Sequence, residues 1–207
     1  MVLNVNHLTL YRNQQAVISD LTFAITDQQK FVLQGEIGTG KSTLLLALLG
    51  FVPLHSGEIN WFGKSCRQEA DFMPLRGNTV GICFQQADDQ LFGPTVLDDV
   101  AFGCLNQGKS KAESYQIALE QLEKLGITHL KDRSVNLLSG GEKNFTALAG
   151  VLAMQPKMLL LDEPTNGLDA KNKAKLTALL QALELPMLIA SHDLAFSEAL
   201  ADEVICL

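Results

Sequence analysis

The sequence contains a glycine-rich octapeptide, Gly35-Glu36-Ile37-Gly38-Thr39-Gly40-Lys41-Ser42, that fits the pattern GxxxxGK[ST]. It follows the apolar run Phe31–Leu33 and opens a helical segment, Lys41 to Leu49. A strand, a glycine-rich loop and a helix in this order bind phosphate, because backbone N–H groups and the helix N-terminus converge on one anion. The alternative is a glycine-rich turn with a surface lysine, and the flanking strand and helix make it remote.

This loop predicts a site for a nucleoside triphosphate with Mg²⁺. We expect Lys41 to reach the β- and γ-phosphates and the Ser42 hydroxyl to bind the metal ion. The rest of the loop from Gly35, with Thr43 behind it, is expected to surround the nucleotide.

Two acidic residues follow a second apolar run. Met158–Leu161 is followed directly by Asp162 and Glu163. Ligands bind at the carboxyl ends of strands in open α/β sheets. We therefore expect Asp162 to hold Mg²⁺, directly or through water, and Glu163 to act as a general base on the attacking water. Taken alone, two acids in a solvated loop are about as plausible, and the phosphate loop favours function.

The arrangement of apolar runs predicts an α/β fold with a mainly parallel sheet and helices on both faces. Two N-terminal runs, Val2–Leu10 and Val17–Ile25, partly alternate and predict an antiparallel pair around Arg12-Asn13. A helix is expected from near Lys109 to Gly126. Five runs are predicted to be buried parallel strands: Phe31–Leu33, Val80–Phe84, Met158–Leu161, Met187–Ala190 and Val204–Leu207.

We expect one domain spanning residues 1–207. Residues 1–84 and 156–207 are expected to form a nucleotide-binding core, and residues 85–155 an inserted helical lobe. Composition fits a globular chain, with 47% hydrophobic and 19% charged residues. The net charge of −7 argues against nucleic acid as a partner.

The cysteines and the apolar runs indicate the cellular compartment in which the chain is expected. None of the four cysteines forms a CxxC pair, and we expect buried thiols in a reducing compartment. No signal peptide is recognisable, and the longest mostly apolar run, about residues 44–54, is too short for a membrane-spanning helix. We expect a soluble protein that reaches a membrane only through a partner.

Several further motifs resemble those of ABC ATPases, in the order that this family has them. Leu138-Ser139-Gly140-Gly141-Glu142-Lys143 resembles the LSGGQ signature. Asn166-Gly167-Leu168-Asp169 resembles the D-loop, His192 the switch histidine and Gln85 the Q-loop glutamine. Tyr11 resembles the aromatic residue on which adenine stacks. The resemblance covers almost the whole chain and implies ATP hydrolysis with Mg²⁺, to which Gln85 contributes as a metal-sensing residue.

The signature also has a local interpretation. Ser139 followed by Glu142 is a capping box at a helix start, yet Gly140-Gly141 are poor helix formers that suit close approach of a ligand. The resemblance implies that Ser139–Glu142 contact ATP held by a second ATPase subunit, identical or paralogous. It therefore implies two composite sites in a head-to-tail dimer.

The single residues have plainer alternatives. His192 alone would be an ordinary polar residue in a turn. Its implied role is a hydrogen bond to the γ-phosphate and the attacking water. Asp169 could simply cap a helix, while the resemblance implies communication across the dimer. Tyr11 could equally be a core aromatic residue.

The segment Gln85–Phe92 resembles the Q-loop of ATPases from energy-coupling-factor importers, which take up vitamins, nickel or cobalt. It departs from their usual string at Gln86-Ala87, where Asn-Pro is typical. This resemblance implies docking on integral membrane subunits near Gln85–Phe92, at the cytoplasmic face of the cell membrane. We also expect no C-terminal regulatory domain beyond Leu207.

Three other functions stay open at this point. One is an ABC ATPase of translation or DNA repair, against which a single domain without a coiled coil argues. Another is the ATPase of a conventional ABC permease. The third is a non-enzymatic nucleotide sensor, against which Lys41, Asp162, Glu163 and His192 argue.

Overall fold

The computed structural model describes all residues, 1–207. Nine strands form two sheets, with seven α-helices around them. The strands are β1 (Leu3–Arg12), β2 (Gln15–Ile25), β3 (Lys30–Gln34), β4 (Ser56–Trp61), β5 (Lys64–Cys66), β6 (Val80–Cys83), β7 (Met158–Asp162), β8 (Met187–Ser191) and β9 (Glu203–Cys206). The helices are α1 (Lys41–Leu48), α2 (Glu69–Phe72), α3 (Val96–Asn106), α4 (Lys111–Lys124), α5 (Gly140–Ala153), α6 (Ala170–Ala182) and α7 (Leu194–Leu200).

The five predicted parallel strands form one sheet with the order β6-β7-β8-β3-β9. Their bounds agree with the sequence prediction to within one residue. Continuous apolar runs arise because successive side chains of a strand point to opposite faces, and both faces are covered. In β7, Leu159 and Leu161 pack into one hydrophobic cluster, while Met158 and Leu160 pack into the other.

The second sheet is antiparallel, with the order β2-β1-β4-β5. The prediction of β1 and β2 is confirmed, and the turn between them lies at Asn13-Gln14. The hairpin of β4 and β5 was not predicted. A tight turn at Phe62-Gly63 joins the two strands, and β4 buries Ile59 and Trp61 towards the core.

The segment between β6 and β7 contains no named strand, and its helices α3, α4 and α5 pack on one another. This is the helical lobe expected from the sequence. Polar residues begin each helix, with Thr95, Ser110 and Ser139 accepting a backbone N–H from the first turn. The helix expected near Lys109 starts two residues later because Ser110 caps it.

One prediction about the cysteines is wrong. Cys66 and Cys104 are buried, and Cys83 is partly buried, but Cys206 is exposed. The reason is its place on β9, the edge strand of the parallel sheet, where one side has no neighbouring strand. No helix is long and apolar enough to cross a bilayer.

The parallel sheet also sets the position of the candidate residues. The phosphate loop follows β3, Gln85 follows β6, Asp162 ends β7 and His192 follows β8. Because these four strands are neighbours and parallel, their carboxyl ends lie along one edge of the sheet. Residues far apart in sequence are thereby placed side by side.

Candidate functional site

The phosphate loop turns sharply into α1. Gly40 is the N-cap residue of this helix and has a φ of 100°, a conformation that glycine adopts readily. A Cβ atom here would lie 3.2 Å from the carbonyl oxygen of Val17. Lys41, only 6% exposed, donates from Nζ to the carbonyl oxygens of Gly35 at 2.7 Å and Glu36 at 3.0 Å. The ammonium group therefore lies inside the loop.

Asp162 and Ser42 together have the properties of a magnesium site. Asp162 is 7% exposed, and its Oδ1 atom is buried without a hydrogen-bond partner. Burial raises the pKa of the Asp162 carboxyl, while the neighbouring Ser42 hydroxyl opposes the rise. An unpaired carboxylate oxygen beside a hydroxyl supplies the hard oxygen ligands that Mg²⁺ prefers. The donor set fits the ion that the sequence predicts.

Glu163 is the centre of a buried polar cluster. It is 7% exposed, and its Oε1 lies 3.4 Å from Lys41 Nζ. Its Oε2 lies 2.7 Å from Nδ1 of His192 and also accepts the His192 backbone N–H at 3.2 Å. The other ring nitrogen of His192, Nε2, makes no hydrogen bond within the chain. Lys41 and His192 thus both contact Glu163.

Lys41, Ser42, Glu163 and His192 line one cleft, and Asp162 is not part of its lining. Its lining contains six of the nine predicted residues from Gly35 to Thr43, together with Gln85, Glu163 and His192, whereas Gly35, Glu36 and Thr39 are not part of it. Arg12 and Val17 also line the cleft, although no sequence motif identifies them. The cleft is lined by Arg12, Val17, Ile37, Gly38, Gly40, Lys41, Ser42, Thr43, Gln85, Glu163, Asn166 and His192.

The signature segment lies at the start of α5, apart from this cleft. The capping box predicted from Ser139 and Glu142 is present, with Glu142 also bonded to the Ser139 backbone N–H. A Cβ atom at Gly140 would meet nothing within 4 Å. The chain therefore does not cover Gly140, and this side of the helix start is open to a ligand.

The first turn of α5 also joins two neighbouring segments. Lys143 forms an ion pair with Asp88, which lies in the segment Gln85–Phe92. Asn144 donates to the backbone carbonyl of Asn166 at 3.1 Å. The signature segment is thus tied both to the Q-loop segment and to the D-loop segment.

The two alternatives stated for Tyr11 and Asp169, a core aromatic residue and a helix cap, can be compared with the structure. Tyr11 is 43% exposed, so the alternative of a core aromatic residue is wrong. Its ring lies against that of His55, with 4.5 Å between the centroids, and Arg12 beside it lines the cleft. Asp169 caps α6 by accepting the Asn172 N–H at 2.8 Å, as its plainer interpretation predicted.

Comparison with known proteins gives a consistent result. The ABC transporter family model matches residues 18–166. An uncharacterized ABC transporter ATP-binding protein of Haemophilus influenzae is 66% identical over 206 residues, which cover 100% of this chain and 94% of that protein. The energy-coupling factor transporter ATP-binding protein EcfA of Methanosphaera stadtmanae is 35% identical over 197 residues, covering 94% of this chain and 71% of that protein.

The structural comparison agrees with the sequence comparison. The solved structure of cbiO1 from Clostridium perfringens, part of the ABC transporter complex cbiONQ, superposes with a TM-score of 0.88 at 34% identity. The match covers 99% of this chain and 84% of that chain. The chain therefore belongs to the ABC transporter family, in which it is an ATP-binding and ATP-hydrolysing protein close to the energy-coupling factor ATPases.

Proposed function

We propose that this chain couples hydrolysis of Mg-ATP, in a head-to-tail dimer, to import of a small solute through separate membrane subunits. The observation that carries the proposal is the buried carboxylate of Glu163, held by His192 and facing Lys41 of the phosphate loop. A base at that point is positioned for a water molecule attacking the terminal phosphate.

The chain's own residues divide the work of hydrolysis. Lys41, inside the loop, binds the β- and γ-phosphates. Glu163 takes a proton from the attacking water, and His192 donates Nδ1–H to Glu163, which leaves Nε2 as an acceptor for a hydrogen bond from that water. Gln85, on the rim of the same cleft, completes the arrangement and senses the metal ion.

Ser42 and Asp162 would hold Mg²⁺. The buried Oδ1 of Asp162, without a partner inside the chain, supports this assignment. When bound, the ion neutralises charge on the phosphate oxygens. It also supplies the positive partner that a buried carboxylate requires.

The separation of the two nucleotide-binding elements supports the proposed dimer. The open start of α5, with Ser139, Gly140 and Gly141, is proposed to contact the triphosphate bound by a partner subunit. A helix N-terminus with accessible backbone N–H groups is suited to an anion. Each subunit then contributes a phosphate loop to one site and a signature segment to the other.

The membrane subunits are proposed to dock near Gln85–Phe92. Phe92 is 63% exposed and stacks edge-on against Phe102, which is 41% exposed, with 4.5 Å between the ring centroids. Exposed aromatic residues favour a protein contact. The resemblance of this segment to energy-coupling-factor ATPases favours cobalt, nickel or a vitamin as cargo, and the cytoplasmic face of the membrane as location.

The dimer and the base can be tested together with Glu163→Gln. This substitution removes the base and keeps the shape of the side chain. We expect hydrolysis to fall at least ~100-fold, and Mg-ATP to convert the variant from monomer to stable dimer in size-exclusion chromatography. A variant that stays monomeric with saturating Mg-ATP and hydrolyses as fast as the wild type would show that the proposal is wrong.

The transport assignment needs a separate experiment. The tagged chain is purified from gently solubilised membranes of its native cell, and co-purifying proteins are identified. A coupling subunit with a small substrate-capture protein would support the energy-coupling-factor type. Two large permease subunits would place it with conventional permeases, and recovery only with ribosomes or DNA would contradict transport.

A further inference from the structure

Arg133 lies beside the signature segment and contacts it with both Nη atoms. Nη1 is 3.0 Å from Oε1 of Glu142, and Nη2 donates to the carbonyl oxygen of Leu137 at 2.8 Å. The guanidinium group therefore links the chain that enters the signature segment to the carboxylate in the first turn of α5. None of the sequence motifs includes this arginine.

Glu142 brings a negative charge to the start of α5. Its Oε2 accepts the Ser139 backbone N–H at 2.7 Å and the Ser139 hydroxyl at 2.8 Å. The hydrogen bond from the Ser139 N–H is the main reason why the pKa of Glu142 is lowered, and Arg133 lowers it further. Glu142 is consequently ionised at neutral pH.

Glu142 is the one member of Ser139–Glu142 that is not proposed to touch the triphosphate, because its carboxylate conflicts with that ligand. Under the proposed function, Ser139 and the following glycines contact a triphosphate, which is itself strongly anionic. Two negative charges on either side of one serine repel each other. At the effective dielectric of a protein surface, this repulsion corresponds to a loss of affinity of about three- to tenfold.

We propose that Arg133 is a positioning residue whose role is to cancel the charge of Glu142, so that the signature segment can receive the triphosphate of the partner subunit. The inference rests on the proposed function. Arg133 is then needed only while residue 142 is anionic, because its role is to cancel that negative charge. The summed charge of residues 133 and 142 then determines the Mg-ATP concentration at which a variant dimerises.

The test measures the Mg-ATP concentration that gives half-maximal dimerisation, in a Glu163→Gln background that suppresses turnover. The variants compared are Arg133→Gln, Glu142→Gln, the double variant and Arg133→Lys, at low and high salt. Arg67→Gln is the matched control, since it breaks another exposed arginine–glutamate pair, that of Arg67 with Glu58 at 2.6 Å.

We expect Arg133→Gln to raise the half-maximal concentration about three- to tenfold at low salt. The difference should shrink at high salt, because screening weakens charge repulsion. The double variant restores a summed charge of zero and should return to within about twofold of the parent. Arg133→Lys keeps the charge and should also stay near the parent, as should Arg67→Gln.

The same measurements can overturn the inference. A double variant as weak as Arg133→Gln at both salt concentrations would show that Arg133 acts only by holding the Leu137 carbonyl. The thermal midpoints of the variants identify any loss of folding, and Arg133→Lys then tests the charge in a folded chain. If the Glu163→Gln parent itself fails to dimerise with Mg-ATP, the proposed function is wrong and this inference fails with it.

Discussion

Replacing Asp162 by asparagine is expected to raise the stability of the chain and to remove most of its stabilisation by Mg-ATP. Asp162 is 7% exposed, with Oδ1 unpaired, and burial raises the pKa of its carboxyl. A raised pKa means that the folded chain holds the proton more tightly than the unfolded chain. At neutral pH, the ionised carboxylate therefore lowers the free energy of unfolding.

The size of the gain follows from the unpaired group. Leaving a buried polar group without a partner costs about 1–3 kcal/mol. Asparagine removes the charge and keeps a polar amide, so we expect a gain of about 1 kcal/mol, near the lower end of that range. An unfolding entropy of about 2.1 cal/mol/K per residue, over 207 residues, converts this into a rise in Tm of about 2 °C.

Mg-ATP should stabilise the Asp162→Asn variant less than it stabilises the wild type, although the variant is the more stable chain without nucleotide. A ligand at 100 times its Kd stabilises a protein by about 2.7 kcal/mol, or about 6 °C here. Asp162→Asn should lose most of that increment, because the proposed anionic ligand of Mg²⁺ is gone. Thermal denaturation is measured with EDTA and with excess Mg-ATP. The difference from wild type in EDTA should also vanish as the pH falls through the raised pKa, where wild-type Asp162 takes up its proton.

Asp71→Asn is the control. The Asp71 carboxylate accepts the backbone N–H groups of Arg67 and Gln68, which lower its pKa, so the same substitution should lower the Tm. An Asp162→Asn chain that melts below wild type in EDTA would refute the electrostatic reasoning. One that keeps the full increment with Mg-ATP would refute the assignment of the metal ligand.

Three further substitutions test other parts of the molecule. His192→Ala should lower kcat about 100-fold with a smaller change in KM for ATP, because Nδ1 no longer holds Glu163, and steady-state hydrolysis measures the split between the two constants. Phe92→Asp should abolish co-purification with the membrane subunits, since it places a charge on the exposed aromatic pair, and full recovery would contradict the docking surface. Leu160→Ala, at a fully buried position, should lower the free energy of unfolding by about 2–5 kcal/mol in urea denaturation, and a loss below that range would indicate that the core collapses around the site.

The parallel sheet could be predicted from sequence because burial on both faces leaves an unmistakable pattern. In β8, Met187 and Ile189 pack on one side while Leu188 and Ala190 pack on the other, so no polar residue interrupts the run. The order of the strands could not be predicted, because it depends on which helix covers which face.

The hairpin of β4 and β5 is an element that the hydrophobic pattern of the sequence did not predict. Only Ile59 and Trp61 of β4 are apolar and buried, and the strand begins with Ser56, Gly57 and Glu58, which favour a turn. The alternation of Ile59 and Trp61 before the turn at Phe62-Gly63 is the signal that could have identified it. This alternating run is short because much of the hairpin faces solvent.

Those parts of the candidate site whose residues belong to one motif could be predicted from the sequence. The parts that depend on contacts between different strands and helices could not. The residue types of the phosphate loop and of the acid pair are sufficient to predict their chemistry. The bond between Glu163 and His192 arises because β7 and β8 are neighbours. Arg12 and Arg133 belong to no motif, so only the fold brings them to the cleft and to the signature segment.

The end of β7 carries two unfavourable features in consecutive residues, and the proposed chemistry accounts for both. Asp162 is a buried carboxylate with an unpaired oxygen, and Glu163 has a φ of 47°, in a left-handed conformation that is costly for a residue with a side chain. The Glu163 backbone is held there by hydrogen bonds to Ala190 and from Asn166. An unpaired oxygen provides a place for a metal ion, and the turn at Glu163 directs its carboxylate to Lys41 and His192. Relieving either feature should therefore favour the fold at the expense of hydrolysis, and the opposite signs predicted for Asp162→Asn are the measurable form of that conflict.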